Sequence, residues 1–244
     1  MKRRLLLISN STNFGEAYLG WPRPYIKDFM GPTGVKEILF VPYAGVGLAI
    51  ENLEKSYDAY EARVQGVFAK LGYKVHSIHH EPDPVAALKK FDVIAVGGGN
   101  TFHLVYMMHK LGLMEAIRER VKEGMHYMGW SAGSNVACPS LKTTNDMPII
   151  EPAGFDCLNL IPFQINPHYL DANPEGHGGE TRQQRIEEFL LVNRDMTVAG
   201  LREATLLWVE DDNMKLMGNR PMRLFNFGVE AKEFEPGSDI NFLL

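Results

Sequence analysis

The sequence contains very little cysteine, with Cys138 and Cys157 occurring among 244 residues. Each lies among small or apolar residues, and neither has the spacing of a metal-binding motif. Both are therefore expected to be reduced packing residues rather than members of a disulfide or ligands of a metal.

Long hydrophobic runs and long basic runs are missing as well. The apolar residues 5–8 follow a short basic segment, and polar residues begin at Ser9. This apolar run is too short for a signal peptide or a membrane span. The formal net charge is −5, and without a basic tract it argues against a nucleic acid as partner. We expect a soluble cytoplasmic protein with no membrane or nucleic-acid partner.

Linkers, internal repeats and low-complexity tracts are also lacking, so the sequence predicts one domain, residues 1–244. What is present is an alternation of short apolar runs and helical segments, which is typical of an α/β fold. We expect a mainly parallel central sheet flanked by helices, including helices over residues 51–71 and 102–123. After Gly200, short strand-like segments separated by turns predict a C-terminal antiparallel hairpin region.

The pentapeptide Gly129-Trp130-Ser131-Ala132-Gly133 stands between an apolar run and a helix-compatible segment. A Gly-x-Ser-x-Gly pattern in a strand–turn–helix context is typical of a nucleophile elbow, in which the glycines relieve crowding in a sharp turn. The turn would expose the Ser131 hydroxyl at the positive N-terminus of a helix, where backbone N–H groups can face an oxyanion. The alternative is that small residues merely let the strand and the helix pack closely.

A serine nucleophile needs a general base, and eight histidines occur in the sequence. His168 is the strongest candidate, because it follows a short apolar strand ending at a proline and would project into the loop layer where α/β active sites lie. His177, in a glycine-rich loop, is its main rival. Residues 76–80 hold three histidines, but the nearby sequence supplies no recognisable set of acidic or cysteine ligands, so we expect no metal there.

Two carboxylates are candidates for orienting such a base. Glu203 follows another strand end, and Asp146 lies in a polar loop soon after the elbow helix. Either is equally well explained as a solvated loop residue, and the residues alone do not choose between them.

The glycine run at residues 97–99 ends one predicted strand and opens the next helix. Its spacing fits neither a dinucleotide fingerprint nor a Walker loop. A backbone N–H from this run, paired with that of Ala132, would form a two-donor oxyanion hole. Farther along, Arg182 and Arg185 share a face near a predicted helix start, which suits a carboxylate ligand, although a solvated helix face explains them equally well.

Taken together, these segments closely resemble the peptidase E family of α-aspartyl dipeptidases. The resemblance is carried by ordered motifs at residues 9–12, 97–101, 129–133, 143–148, 164–168 and 174–185. It implies a flavodoxin-like α/β fold related to class I glutamine amidotransferases, with serine in place of their cysteine. It also implies a serine peptidase that hydrolyses dipeptides with an N-terminal aspartate, without a metal or another cofactor.

The resemblance further implies that Ser131 is the nucleophile and His168 the general base, with Glu203 preferred over Asp146 for orienting His168. The other site residues that it implies are Asp146 in a substrate or structural role, Gly99 and Ala132 at the oxyanion hole, and Arg182, Arg185 and Asn100 at the substrate. Arg182 is favoured for the aspartyl side chain because it stands nearer the helix start.

Two other functions compete with this interpretation. One is a serine hydrolase resembling cyanophycinase, which acts on the aspartyl bonds of a storage polymer. The other is a non-enzymatic module in which Ser131 and the glycine run hold an anion. For the dipeptidase, the expected partners are small peptides, and the protein is expected to be a monomer or a homodimer.

Overall fold

A computed structural model describes residues 3–176 and 178–244 of the chain. The strands are β1 (Arg4–Ile8), β2 (Glu37–Val41), β3 (Lys74–Ser77), β4 (Val93–Val96), β5 (His126–Trp130), β6 (Gln164–Pro167), β7 (Thr197–Leu201), β8 (Thr205–Glu210), β9 (Asn213–Gly218), β10 (Met222–Asn226) and β11 (Val229–Phe234). The helices are α1 (Arg23–Met30), α2 (Leu53–Phe68), α3 (Pro84–Ala87), α4 (Thr101–Lys110), α5 (Leu113–Lys122), α6 (Ala132–Asn135) and α7 (Arg182–Val192).

The central sheet has seven strands in the order β3-β2-β4-β5-β1-β8-β9. The first five of these run parallel, and β8 and β9 extend the sheet in antiparallel fashion beyond β1. In β1, Leu5 and Leu7 pack into one hydrophobic cluster while Leu6 and Ile8 pack into another, so both faces of the strand are buried. Burial on both faces explains the continuous apolar run in the sequence. The predicted, mainly parallel central sheet is confirmed.

The predicted antiparallel strands at the C-terminal end are confirmed, but they divide between two sheets. The β8–β9 hairpin joins the central sheet, whereas β10 and β11 belong to a second sheet of order β11-β10-β7-β6. In that second sheet β6 and β7 are parallel, and β7, β10 and β11 pair antiparallel. The local turn signals predict each hairpin, whereas the choice of sheet depends on contacts between distant segments.

The predicted helix over residues 102–123 is wrong in one respect. It is broken at Gly112, whose φ of +66° interrupts the helical path and separates α4 from α5. The helix predicted over residues 51–71 is α2, followed by one turn of 3-10 helix that ends at Gly72, where φ is +84°.

The two sheets share hydrophobic contacts. One cluster of buried residues includes Leu7 and Leu207 from the central sheet together with Ile165 and Leu201 from the second sheet. Both cysteines are buried and unpaired. None of the described helices is long and apolar enough to cross a bilayer.

Candidate active site

Ser131 lies in the sharp turn between β5 and α6, with φ of 53° and ψ of −112°. Few residues other than glycine adopt a positive φ. The Ser131 backbone is therefore strained, and the surrounding structure must stabilise this conformation. A Cβ atom on Gly129 would lie 2.3 Å from the Gly133 carbonyl oxygen, and one on Gly133 would lie 2.1 Å from the Val96 oxygen. Both flanking glycines are therefore required by close backbone contacts, and the predicted strand–turn–helix elbow is present.

A chain of hydrogen bonds links Ser131 to a histidine and a glutamate. The Ser131 Oγ lies 3.0 Å from His168 Nε2, and His168 Nδ1 lies 2.9 Å from Glu203 Oε1. Because a carboxylate only accepts, the proton is assigned to Nδ1, which donates to Glu203. Nε2 then presents its lone pair to the serine hydroxyl, which is the arrangement that lets a histidine remove a proton from serine.

The second sheet brings His168 and Glu203 together. His168 directly follows β6, Glu203 comes two residues after β7, and these parallel strands are neighbours with Pro167 opposite Leu201. Their carboxyl ends therefore meet at one edge of the sheet. His168 has a φ of 52° and Ala204 a φ of 64°, so the chain turns sharply at both strand ends.

The loop after β1 connects this pair to the central sheet. The buried Ser9 hydroxyl donates to the Leu201 carbonyl oxygen at 2.8 Å and accepts from the His168 backbone N–H at 3.0 Å. The Asn10 side chain accepts from the Ala204 backbone N–H at 2.9 Å. The positions of the histidine and the glutamate relative to Ser131 are thus fixed by hydrogen bonds from one short loop.

Arg202, the residue before Glu203, is held by two carboxylates. Its guanidinium donates to both carboxylate oxygens of Asp171, at 2.8 and 2.5 Å, and to those of Glu233, at 2.8 and 2.9 Å. The hydrogen bonds from Arg202 lower the pKa of Asp171. Arg202 therefore links Asp171, in the segment after β6, to Glu233 in β11.

Asp146 lies elsewhere. Its carboxylate accepts hydrogen bonds from the Thr101 backbone N–H at 2.7 Å, from the Thr101 hydroxyl at 2.6 Å and from the Thr144 hydroxyl at 3.1 Å. These bonds place a negative charge at the N-terminus of α4. Glu203, and not Asp146, is hydrogen-bonded to His168, while the rival base His177 lies outside the described residues.

The glycine run passes directly beside Ser131. A Cβ atom on Gly98 would lie 2.9 Å from the Ser131 Cβ, and one on Gly99, where φ is +135°, would lie 2.1 Å from the Ala44 carbonyl oxygen. Ala132 is the first residue of α6 and directly follows the serine. The backbone segments that hold the two predicted oxyanion positions therefore both adjoin Ser131.

Two residues of α2 that the sequence analysis missed contribute to this site. The buried Tyr60 hydroxyl donates to the Gly98 carbonyl oxygen at 2.9 Å and accepts from Trp130 Nε1 at 3.0 Å, which fixes the glycine run against β5. Arg63 and Tyr60 line a cavity of about 470 Å³ that also includes Ser131 and His168. In the sequence, both residues fall within an ordinary amphipathic helix, and no local signal distinguishes them.

The proposed substrate contacts differ in their surroundings. Asn100 lines the cavity, but its side chain caps α4 by accepting from the His103 N–H and donates to the Met147 carbonyl oxygen. Arg182 and Arg185 line two adjacent depressions instead. Burial, followed by the charge of Arg185, lowers the pKa of Arg182, and the Asp146 carboxylate opposes this effect.

An elbow serine that contacts a carboxylate-oriented histidine at the edge of an α/β sheet is the arrangement of a serine hydrolase. Comparison with known proteins agrees. A model of peptidase family S51 matches residues 5–217, and the chain belongs to this family. It is therefore a serine peptidase.

Named relatives resemble this chain over nearly their whole lengths. The peptidase E of Nostoc sp. is 49% identical over 100% of this chain and 98% of its own. The peptidase E of Streptomyces coelicolor is 48% identical over 98% of this chain and 94% of its own. The solved structure of a peptidase from an acI-B1 actinobacterium has a TM-score of 0.68 at 18% identity, covering 98% of this chain and 97% of that one, and it supports the fold.

Proposed function

We propose that this protein is a dipeptidase that cleaves the peptide bond after an N-terminal aspartate. The observation that carries the proposal is the hydrogen-bonded series Ser131–His168–Glu203 beside the glycine run, in a chain closely similar to proteins called peptidase E. A cavity of about 470 Å³ is within the range of small-ligand sites, which supports a substrate as small as a dipeptide. The cyanophycinase-like and anion-binding alternatives are not favoured by these relatives.

The proposed mechanism is acyl transfer. Ser131 Oγ attacks the carbonyl carbon of the aspartyl residue while His168 Nε2 accepts its proton, and Glu203 stabilises the resulting imidazolium. The amides of Gly99 and Ala132 hold the oxyanion of the tetrahedral intermediate. His168 then protonates the leaving amine, and a water molecule activated by the same histidine hydrolyses the acyl-enzyme.

We assign the recognition of the aspartyl side chain to Arg182. The support is its position at the start of α7, its partial burial and its proximity to the site residue Asp146. A guanidinium binds a carboxylate bidentately, and a neutral side chain would leave this partly buried cation without that ligand, at a cost of about 1–3 kcal/mol. Arg63 is the other arginine to compare with Arg182 as the aspartate-binding residue, because it lines the cavity that contains Ser131.

The test is hydrolysis of Asp-Leu beside Asn-Leu, Glu-Leu and N-blocked Asp-Leu. Rapid cleavage of Asp-Leu alone is expected, together with its loss in Ser131→Ala. Arg182→Ala should reduce kcat/KM for Asp-Leu by roughly 10–100-fold and leave the slow cleavage of Asn-Leu nearly unchanged. Folded wild-type protein that does not cleave Asp-Leu would contradict the proposal, and loss of aspartate preference in Arg63→Ala alone would reassign the contact to Arg63.

We further propose that residues 1–244 act as one catalytic domain, because the serine comes from the central sheet and its partners come from the second. A cytoplasmic location is in keeping with the two buried, unpaired cysteines. For association, we propose a monomer or a homodimer, which light scattering on the purified protein would distinguish.

A further inference from the structure

The structure brings two acidic residues of α2 up to the paired histidines that follow β3. Asp58 and Glu61 are three residues apart on one face of α2, and His79 and His80 lie in a 3-10 turn after β3. His79 Nε2 lies 3.2 Å and His80 Nε2 lies 3.7 Å from Asp58 Oδ1. The carboxylates that face these histidines thus come from a helix about 20 residues earlier in the chain.

We propose that Asp58, Glu61, His79 and His80 form a binding site for one divalent transition-metal ion, with zinc as the best match. One ligand atom from each of Asp58, His79 and His80 lies within 4.8 Å of the other two. His80 Nε2 also lies 2.8 Å from Glu61 Oε2, which adds a fourth ligand group. Ligand atoms around a tetrahedral zinc ion are about 3.3 Å apart, close to the 3.2 and 3.7 Å that separate Asp58 Oδ1 from the two histidine nitrogens.

The chemistry of this donor set agrees with the proposal. Two imidazole nitrogens and two carboxylates are the ligands that zinc takes in proteins, and the two carboxylates balance its charge. The ring centroids of His79 and His80 are 3.8 Å apart, and both Nε2 atoms face the same Asp58 oxygen. The side chain of His80 is about half exposed, at 53%, which gives an ion access from solvent.

The supporting contacts hold the proposed ligands in place. The Ser77 hydroxyl lies 2.6 Å from His79 Nδ1, the position from which an outer partner fixes a metal-binding imidazole. The Ser77 backbone N–H donates to Glu61 Oε1 at 3.1 Å, so Oε2 stays directed at His80. Lys55 lies 3.5 Å from Asp58 Oδ2, the oxygen that faces away from the histidines.

A bound ion would join α2 to the end of β3, on the part of α2 that also carries Tyr60 and Arg63. The Tyr57 ring packs edge-on against both His79 and Tyr43. This ring therefore lies between the proposed metal site and the segment Tyr43–Ala44, which packs against Gly99. We therefore assign the ion a stabilising role, separate from the serine chemistry.

The test is titration of the chelator-treated, full-length protein with zinc chloride by isothermal calorimetry. We expect saturable binding of about one equivalent and a higher unfolding temperature with zinc, because the ion binds only the folded state. His79→Gln and Asp58→Asn should each weaken zinc binding at least about 10-fold, and Ser77→Ala should weaken it roughly 10-fold through His79. Cobalt chloride should give the visible absorption bands of a four-coordinate site in the wild type and not in His79→Gln or Asp58→Asn.

Two histidine variants are matched controls. His76 lies on β3 itself and contacts Glu37, and His168 belongs to the active site, so His76→Gln and His168→Gln should both retain zinc affinity. If His79→Gln fails to fold by circular dichroism, Asp58→Asn and the exposed His80→Gln test the same site. Absence of saturable binding in the wild type would overturn the proposal. Loss of binding only in His168→Gln would do so as well, because it would place the ion at the active site.

Discussion

At the scale of single residues, the hydrogen bond from His168 Nδ1 to Glu203 decides which ring nitrogen faces Ser131. Glu203→Gln keeps the size of the side chain but offers an amide that can turn its N–H₂ group toward the ring. The wrong tautomer and an unstabilised imidazolium should lower kcat by roughly 10²–10⁴-fold with little change in KM. Steady-state kinetics with Asp-Leu measure both constants.

Asp146→Asn is the matched comparison for that variant. The Asp146 carboxylate accepts two hydrogen bonds from Thr101 at the start of α4. Replacing this carboxylate by an amide should lower the free energy of unfolding by about 1 kcal/mol. Because its charge also acts on Arg182, the kinetic effect should fall mainly on KM. A full loss of kcat in Asp146→Asn, with Glu203→Gln unaffected, would reverse the two assignments.

The lowered pKa of His126 should make the unfolding free energy of the protein depend on pH. Burial and then the charge of Arg4 lower the pKa of His126, while Asp92 and Glu210 act in the opposite direction. The unfolded chain, with an ordinary histidine pKa of about 6.5, therefore binds more protons than the folded chain as pH falls toward that value and below. The unfolding free energy should decrease on acidification through this range.

Replacing His126 isolates its part of that pH dependence. In His126→Gln, urea unfolding at a series of pH values between 5 and 8 should show a shallower decrease in stability than in the wild type. Other groups still titrate in the variant, so the difference between the two curves is the relevant quantity. Identical curves would contradict the pKa shift of this histidine.

At the scale of elements, the glycine run and the elbow lie in close contact, which the absence of a side chain at Gly98 makes possible. In Gly98→Ala, the new Cβ would meet the Ser131 Cβ and the Trp130 carbonyl oxygen at 2.9 Å, so the two segments must separate. Displacing the proposed oxyanion donors in this way should lower kcat on the order of 100-fold. The measurement is kcat for Asp-Leu, together with the urea midpoint of unfolding to show that the variant is folded.

Gly66→Ala provides a control with the same change in composition. A Cβ atom at Gly66 meets nothing within 4 Å, and this residue lies inside α2. The variant should keep full activity and gain about 1 kcal/mol of unfolding free energy, because alanine is the better helix former. Full activity in Gly98→Ala would show that the close contact is not needed for catalysis.

The sequence predicted those parts of the site that depend on local geometry. The elbow around Ser131 and the strand-end position of His168 follow from short motifs, and the structure brings the two side chains together. The residues themselves left Glu203 and Asp146 equivalent, because the pairing of β6 with β7 joins segments far apart in the chain. Tyr60 was missed for the same reason, since its hydroxyl is distinguished only by its contacts with Gly98 and Trp130.

At the scale of the whole molecule, the shared core predicts that both sheets unfold together. Trp21, Trp130 and Trp208 all pack in one cluster beside the central sheet, so their fluorescence reports mainly on that side of the molecule. Far-UV circular dichroism reports on the strands of both sheets. The two signals should give the same urea midpoint, as in a two-state transition. An earlier transition in circular dichroism alone would mean that the second sheet unfolds first.

The position of β1 between β5 and β8 also bears on how the protein is made. One of the two strands beside β1, β8, is synthesised some 200 residues after it. Ser131 likewise emerges before either His168 or Glu203. A nascent chain therefore carries an unactivated serine while residues 132–203 are being synthesised. Peptidase activity begins only when translation has passed β8 and the first strand has gained its second neighbour.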